Sequence, residues 1–141
     1  LQEAGTDICL GAHGQLQGLG AHWELWMLQQ GGMSNHEALK SATIRGAKYM
    51  GMEQEIGSLK AGKLADLIVI DGDPLANIQE SENVIYTMVN GRLYDAATVN
   101  EIGNYNRPRT PFYWEMEGSG NAYPYFESTQ SFMRPTCHCR N

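Results

Sequence analysis

The sequence predicts a mixed α/β chain, and three observations carry that expectation. Small and apolar residues recur at helical spacing between Ala21 and Met50, and from Ile56 onward the period drops to two. An Asn90-Gly91 pair then separates two β-type runs. That pair is a strong short-range hairpin signal, because a type I′ turn needs positive φ at both central positions.

Leu1 to Gly5 reads as the last turn of a helix closed by glycine, with no initiator Met, basic n-region or cleavage signature. The chain is therefore expected to have lost what precedes it, and both a cytoplasmic and an exported setting stay open. Thr6 to Leu10 is a short β-type run ended by Gly11. Residues 11–20, with Gly14, Gly18 and Gly20, read as a loop. Trp23, Trp26, Met27 and Gln30 then share helical spacing, so a helix is expected from Ala21 to Gln30, stopped by Gly31-Gly32.

Ser34-Asn35-His36-Glu37 is a capping box, in which the serine oxygen accepts an amide and the glutamate reaches back to the cap. Ala38, Leu39, Ala42, Thr43, Ala47 and Met50 fall on one face of the helix it opens, which is expected to run on to Gly51. Ile56 to Leu59 leads into the turn Lys60–Lys63. Leu64 to Ile70 reads as a largely buried strand, with Asp66 as a turn or strand-entry residue. Asp71-Gly72-Asp73-Pro74 suits an Asx-type turn. A polar connection from Leu75 to Asn83 precedes a second strand, Val84 to Val89, and Arg92 to Tyr94 completes the hairpin. Beyond Val99 the chain is aromatic without periodicity and is expected to be an extended tail.

Composition narrows the partners. The net charge is −6 with no basic run, which speaks against nucleic acid and against an anionic membrane surface. Arginine interleaved with aromatic residues in the tail is a pattern that stacks on single strands, but the charge to neutralise a phosphate backbone is missing. The longest apolar run, around Ala65 to Ile70, falls far short of the ~20 residues that cross a bilayer. Cys9, Cys137 and Cys139 form no disulfide framework, and Cys137-His138-Cys139 lacks the second ligand pair of a structural zinc site.

The order strand, glycine-rich loop, helix, capped helix and hairpin is joined by specific motifs. These are Gly32-Met33-Ser34-x-x-Glu37-Ala38-Leu39, then Ala42-Thr43, then Gly57-Ser58-Leu59-x-x-Gly62-Lys63-x-Ala65-Asp66-Leu67, then Asp71-Gly72-Asp73-Pro74-Leu75. In this combination the chain resembles the C-terminal end of the amidohydrolase superfamily, especially its imidazolonepropionase-like and prolidase-like branch. The resemblance covers roughly residues 1 to 95. It implies a metal-dependent (β/α)8 barrel, of which this chain would hold strand 8 and the closing helices, plus part of a small β-sandwich built from both chain ends. Residues 1–54 would be the barrel portion, 55–98 the sandwich strands and 99–141 the tail. A whole barrel takes ~250 residues, so the missing N-terminal part would be the first partner. The family activity implied is hydrolysis of a carbon–nitrogen bond in a small amide or cyclic amide by metal-activated water, with zinc the expected divalent metal. Self-association stays open.

The same template singles out His13. Family members read Leu-Gly-Thr-Asp at the end of strand 8, where this chain reads Leu10-Gly11-Ala12-His13. Gly5-Thr6-Asp7 offers a second Gly-Thr-Asp, but it precedes the apolar run and would put Asp7 at the inactive end of the barrel. His13 is therefore the residue expected to act in catalysis and as a metal ligand. Neutral imidazole binds zinc or accepts a proton near pH 7, yet it lacks the charge of a carboxylate. Three readings stay open at this point: an altered metal centre using His13, a pocket histidine that binds substrate, or a non-catalytic relative serving as a binding or scaffold module. Gln15, with Gln17 beside it in the loop, and His22 at the helix start are the residues expected to touch substrate. The blander alternatives are a solvated loop and a helix-start histidine beside Glu24.

Overall fold

A computed structural model describes residues 4–13, 16, 18–112 and 115–116. The order of elements is α1 (Leu19–Gln30), α2 (Asn35–Ser41), α3 (Ile44–Tyr49), β1 (Leu67–Ile70), a 3₁₀ helix (Ile78–Glu82), β2 (Val84–Val89), β3 (Arg92–Asp95) and β4 (Glu101–Ile102). Residues up to Pro108 form one compact unit, and those from Arg109 form a second. Among the described residues no helix is long and apolar enough to cross a membrane.

α1 begins two residues before the expected start and ends as its glycines dictate. Met33 N–H donates to Leu28 O at 3.2 Å and Gly32 N–H to Gln29 O at 2.9 Å, with Gly32 at φ 100. This crossed pair is a Schellman motif, which satisfies carbonyls the helix leaves over. The buried Met33 then packs on Leu25, Ala38 and Ile78, flanked by the half-buried Ile8, Leu10, Trp26, Leu28 and Leu39. Ile8 and Leu10, two residues apart, reach the same core, as extended backbone with a two-residue period requires.

Two expectations for the capped helix need correction. Half of the capping box forms: Glu37 N–H donates to Ser34 Oγ at 3.3 Å. The Glu37 carboxylate turns away from the cap to Lys40 Nζ (2.7 Å) and to Arg45. The Lys40 hydrogen bond first, and the Arg45 charge after it, hold that carboxyl below its ordinary range. The helix also divides. In an unbroken helix Ser41 O would accept the amide of Arg45; here it accepts that of Leu10 at 3.0 Å. Thr43 leaves the helical region (φ −129, ψ −103), and its hydroxyl donates back to Leu39 O at 2.8 Å. α3 then runs to a second Schellman motif, with Met52 N–H on Ala47 O at 2.8 Å and Gly51 at φ 71.

The most specific motif, Gly57 to Leu67, builds a structural knot. Gly57 sits at φ 82 against the helix break. A Cβ there would lie 2.6 Å from Ala47 Cβ and 3.0 Å from Ile44 Cα. Lys63 uses its ammonium on Glu53 O, on Ile56 O (3.1 Å) and on Ser58 Oγ (2.7 Å), matching three donors to three acceptors. Asp66 Oδ1 accepts the amide of Asn90 at 2.6 Å and so ties the strand entry to the hairpin turn.

β1 to β4 form an antiparallel meander in chain order. Asn90 and Gly91 have φ of 49 and 78, as the expected turn demands. Asp73 Oδ1 accepts the amides of Leu75 (3.0 Å) and Ala76 (3.3 Å), the expected Asx turn. The Leu64–Ile70 strand is shorter and less buried than expected. Only Leu67–Ile70 pairs, at an edge, with Ile68 51% exposed. β4 continues the sheet past the expected elements. There the buried Glu101 takes Arg92 Nε and Nη2 at 2.9 and 2.6 Å, and this pairing holds its carboxyl below the ordinary range. In the second unit Arg109 pairs with Glu115 at 2.6 Å and lies over the Phe112 ring. Cys137, His138, Cys139 and most of the aromatic tail lie outside the described residues.

Candidate active-site segment

Thr6 to Leu10 was expected to form a strand, and it lies in no strand of the described structure. A strand is made by the ladder it shares, and among the described residues no strand runs beside this one. Its moorings come from the helices. The Asp7 carboxylate pairs with Arg45 Nε at 3.2 Å, Leu10 N–H donates to Ser41 O, and Gly11 N–H donates to both oxygens of Glu24 at 2.9 and 3.0 Å. Asp7 is thus accounted for by an ion pair with α3. At the free end of this moored segment stands His13, exposed and with its backbone in the left-handed region at φ 58.

α1 follows this turn and is fixed to the 3₁₀ helix by a polar cluster. Trp26 Nε1–H donates to Ile78 O and to Ser81 Oγ, each at 3.1 Å. Ser81, 2% exposed, has its hydroxyl 3.1 Å from His22 Nδ1. His22 is therefore half-buried and joined through Nδ1 to a long-range partner, a stronger tie than a helix-start histidine beside an acid. No described contact joins His13 to His22, and Gln15 and Gln17 lie outside the described residues.

His13 is a donor of the type a divalent metal accepts. Among the described residues no group of three or more His, Cys, Asp or Glu converges, so the donor set fits one ligand position and not a whole centre. Cavities lie elsewhere among the described residues. One, of about 230 Å³, is lined by Trp26, Asn35 and Asn77; another, of about 250 Å³, by Arg92, Glu101 and Tyr105. Neither His13 nor His22 lines either of them.

Glu24 and Ser81 are the residues that sequence reasoning did not assign. Glu24 sits one position before the buried Leu25, and only the folded path of the loop reveals that its carboxylate faces Gly11. Ser81 lies in a polar run whose period reveals nothing of its burial.

Comparison with known proteins matches residues 5–94 to the amidohydrolase family. The chain is 42% identical over 65 residues to a 5'-deoxyadenosine deaminase of Methanobrevibacter smithii, covering 43% of this chain and 15% of that protein. It is 51% identical over 39 residues to an imidazolonepropionase of Symbiobacterium thermophilum, 28% of this chain and 9% of that one. Among solved structures, an Xaa-Pro dipeptidase with methionine bound in its active site superposes with a TM-score of 0.52 and 37% identity over 54% of this chain and 19% of the other. The chain spans from 8% to 26% of the length of the curated relatives it matches.

Proposed function

This chain belongs to the amidohydrolase family, and from that premise we propose that it is the C-terminal portion of a hydrolase acting on carbon–nitrogen bonds. Members of this family generally use a divalent metal. When bound, such an ion supplies activated water and polarises the bond under attack, and zinc is among the ions that an imidazole ligand suits. Residues 1–54 would be the last strand and closing helices of a barrel, 55–98 the closing strands of a small sandwich, and 99–141 a tail. The remaining metal ligands would come from polypeptide preceding Leu1 in the whole protein. His13 would be the catalytic residue and metal ligand, its neutral imidazole using its one ring-nitrogen lone pair to hold the ion or, off the metal, to take a proton. Gln15 and His22 would face the substrate, His22 through Nε2, since Nδ1 meets Ser81.

The observation that carries this reading is the mooring of Asp7 to Gly11, which leaves His13 free at the end where the family presents its acid. The names of the relatives support the chemistry: a deaminase, an imidazolonepropionase and a dipeptidase act on three kinds of carbon–nitrogen bond. For this chain the substrate class proposed is an amide or cyclic amide.

The test is metal analysis and turnover of the full-length protein, wild type against His13→Ala. The substrates are an adenosine-type amine, an imidazolone and an Xaa-Pro dipeptide. His13→Ala is expected to lower metal content and to cut turnover by roughly 100-fold or more. Equal metal content and equal turnover would reject the role of His13. A wild-type protein that binds no metal and turns over none of the three would return the binding-module reading.

A further inference from the structure

Glu24 has the geometry of a device and no part yet in the chemistry. It lies on α1 immediately before residues that α1 uses for anchorage: Leu25 is buried in the core, and Trp26 is bonded to Ile78 O and Ser81 Oγ. Its backbone is thus held from the following turn, and its carboxylate reaches across thirteen positions to the Gly11 amide with both oxygens. A carboxylate that accepts a backbone N–H makes a charge-assisted bond, stronger than a neutral one. Gly11 is the last moored residue before His13, and one residue, Ala12, separates the clamp from His13.

We infer that Glu24 is a positioning residue, which sets where the main chain leaves the moored segment and thereby where His13 stands. The inference rests on the function proposed above, since positioning matters only if His13 ligates or transfers a proton. Other anchors on the segment act further back, at Asp7 and Leu10. Loss of the clamp leaves the segment docked through Ile8, Leu10 and the Arg45 pair but frees its exit. A displacement of about 1 Å at a reacting group is enough to cost roughly 100-fold in rate, and loss of an outer partner of a metal ligand weakens metal affinity by roughly 10–100-fold.

The experiment uses the full-length protein freed of metal and titrated with Co²⁺, read by affinity and by the visible absorption band. The variants are Glu24→Ala, Glu24→Gln, His13→Ala and the double variant His13→Ala/Glu24→Ala. Hydrogen exchange across residues 8–13 is measured on each. Glu24→Ala is expected to weaken Co²⁺ binding about 10-fold, to shift the band and to speed exchange at Gly11. Glu24→Gln keeps one carbonyl acceptor in the same shape, so it should fold alike and recover most of the affinity. In the His13→Ala background, Glu24→Ala should change Co²⁺ affinity no further, because the two act through one group. The inference is overturned if His13→Ala weakens binding while Glu24→Ala does not, or if the two losses simply add. His13→Ala without effect on Co²⁺ sinks the functional reading itself, and with it any positioning role; the exchange at Gly11 then reports the clamp as structural alone.

Discussion

Replacing Gly57 with alanine should be among the most damaging single changes in the chain, and its cost can be worked from the backbone. Residue 57 sits at φ 82, where a Cβ costs roughly 1–2 kcal/mol. The new methyl would also lie 2.6 Å from Ala47 Cβ and 3.2 Å from Thr43 O. Ala47 is 1% exposed on α3, and neither atom is the movable end of a long side chain. Forcing the two segments apart adds about 1–3 kcal/mol. The total expected destabilisation is about 2–5 kcal/mol. Gly62 provides the internal control: φ is 92, but nothing lies within 4 Å of its would-be Cβ. Gly62→Ala should therefore show only the backbone part, about 1–2 kcal/mol. Urea unfolding of the purified protein measures both, as a shift of midpoint at unchanged slope. Equal costs for the two variants would refute the claim that close approach at the helix break dictates glycine at position 57.

Two further outcomes follow from the same knot and from the sheet. Lys63→Met keeps the apolar stem and removes the ammonium that three acceptors share, so unfolding should become about 1–3 kcal/mol easier. Lys63→Arg should not restore it, because a planar fork cannot meet three acceptors arranged around a point. The Arg92–Glu101 pair makes a pH-dependent contribution. The folded carboxyl of Glu101 is held below its ordinary value of 4.5, so the unfolded chain binds the proton more readily. Stability from this pair is fully present above pH 4.5 and is lost as pH falls through the lower folded value. Glu101→Gln should flatten that part of the acid limb in a series of unfolding curves between about pH 6 and 3, the range in which carboxylates titrate. An unchanged acid limb would mean that the pair contributes nothing to the dependence.

The parts legible in the sequence were those built by local chemistry. Gly32 and Gly51 end helices through bonds three positions back, with Met33 and Met52 after them bonding five back, and Asn90-Gly91 turns a hairpin by its own φ preference. The parts that escaped depend on contacts between distant stretches. The helix expected from Ser34 to Met50 divides because Leu10 takes the Ser41 carbonyl, which no periodicity in residues 34–50 records. Glu37 leaves its cap because Arg45 is held nearby. β4 has two residues, too few to show alternation. At the candidate site the same division holds. His13 is proposed from register within a motif, whereas the contact of Glu24 exists only once the loop has brought Gly11 against α1.

Leu10 and Gly11 are hydrogen-bonded through their N–H groups, and the Leu10 side chain packs on the core, so nothing beyond Gly11 takes part in the grip. A handle made of main chain is indifferent to what is mounted beyond it. The residue at position 13 can therefore be exchanged without loosening a single one of these grips. That makes this stretch a fitting with an exchangeable tip: the scaffold stays constant while the chemistry offered at its end is open to revision.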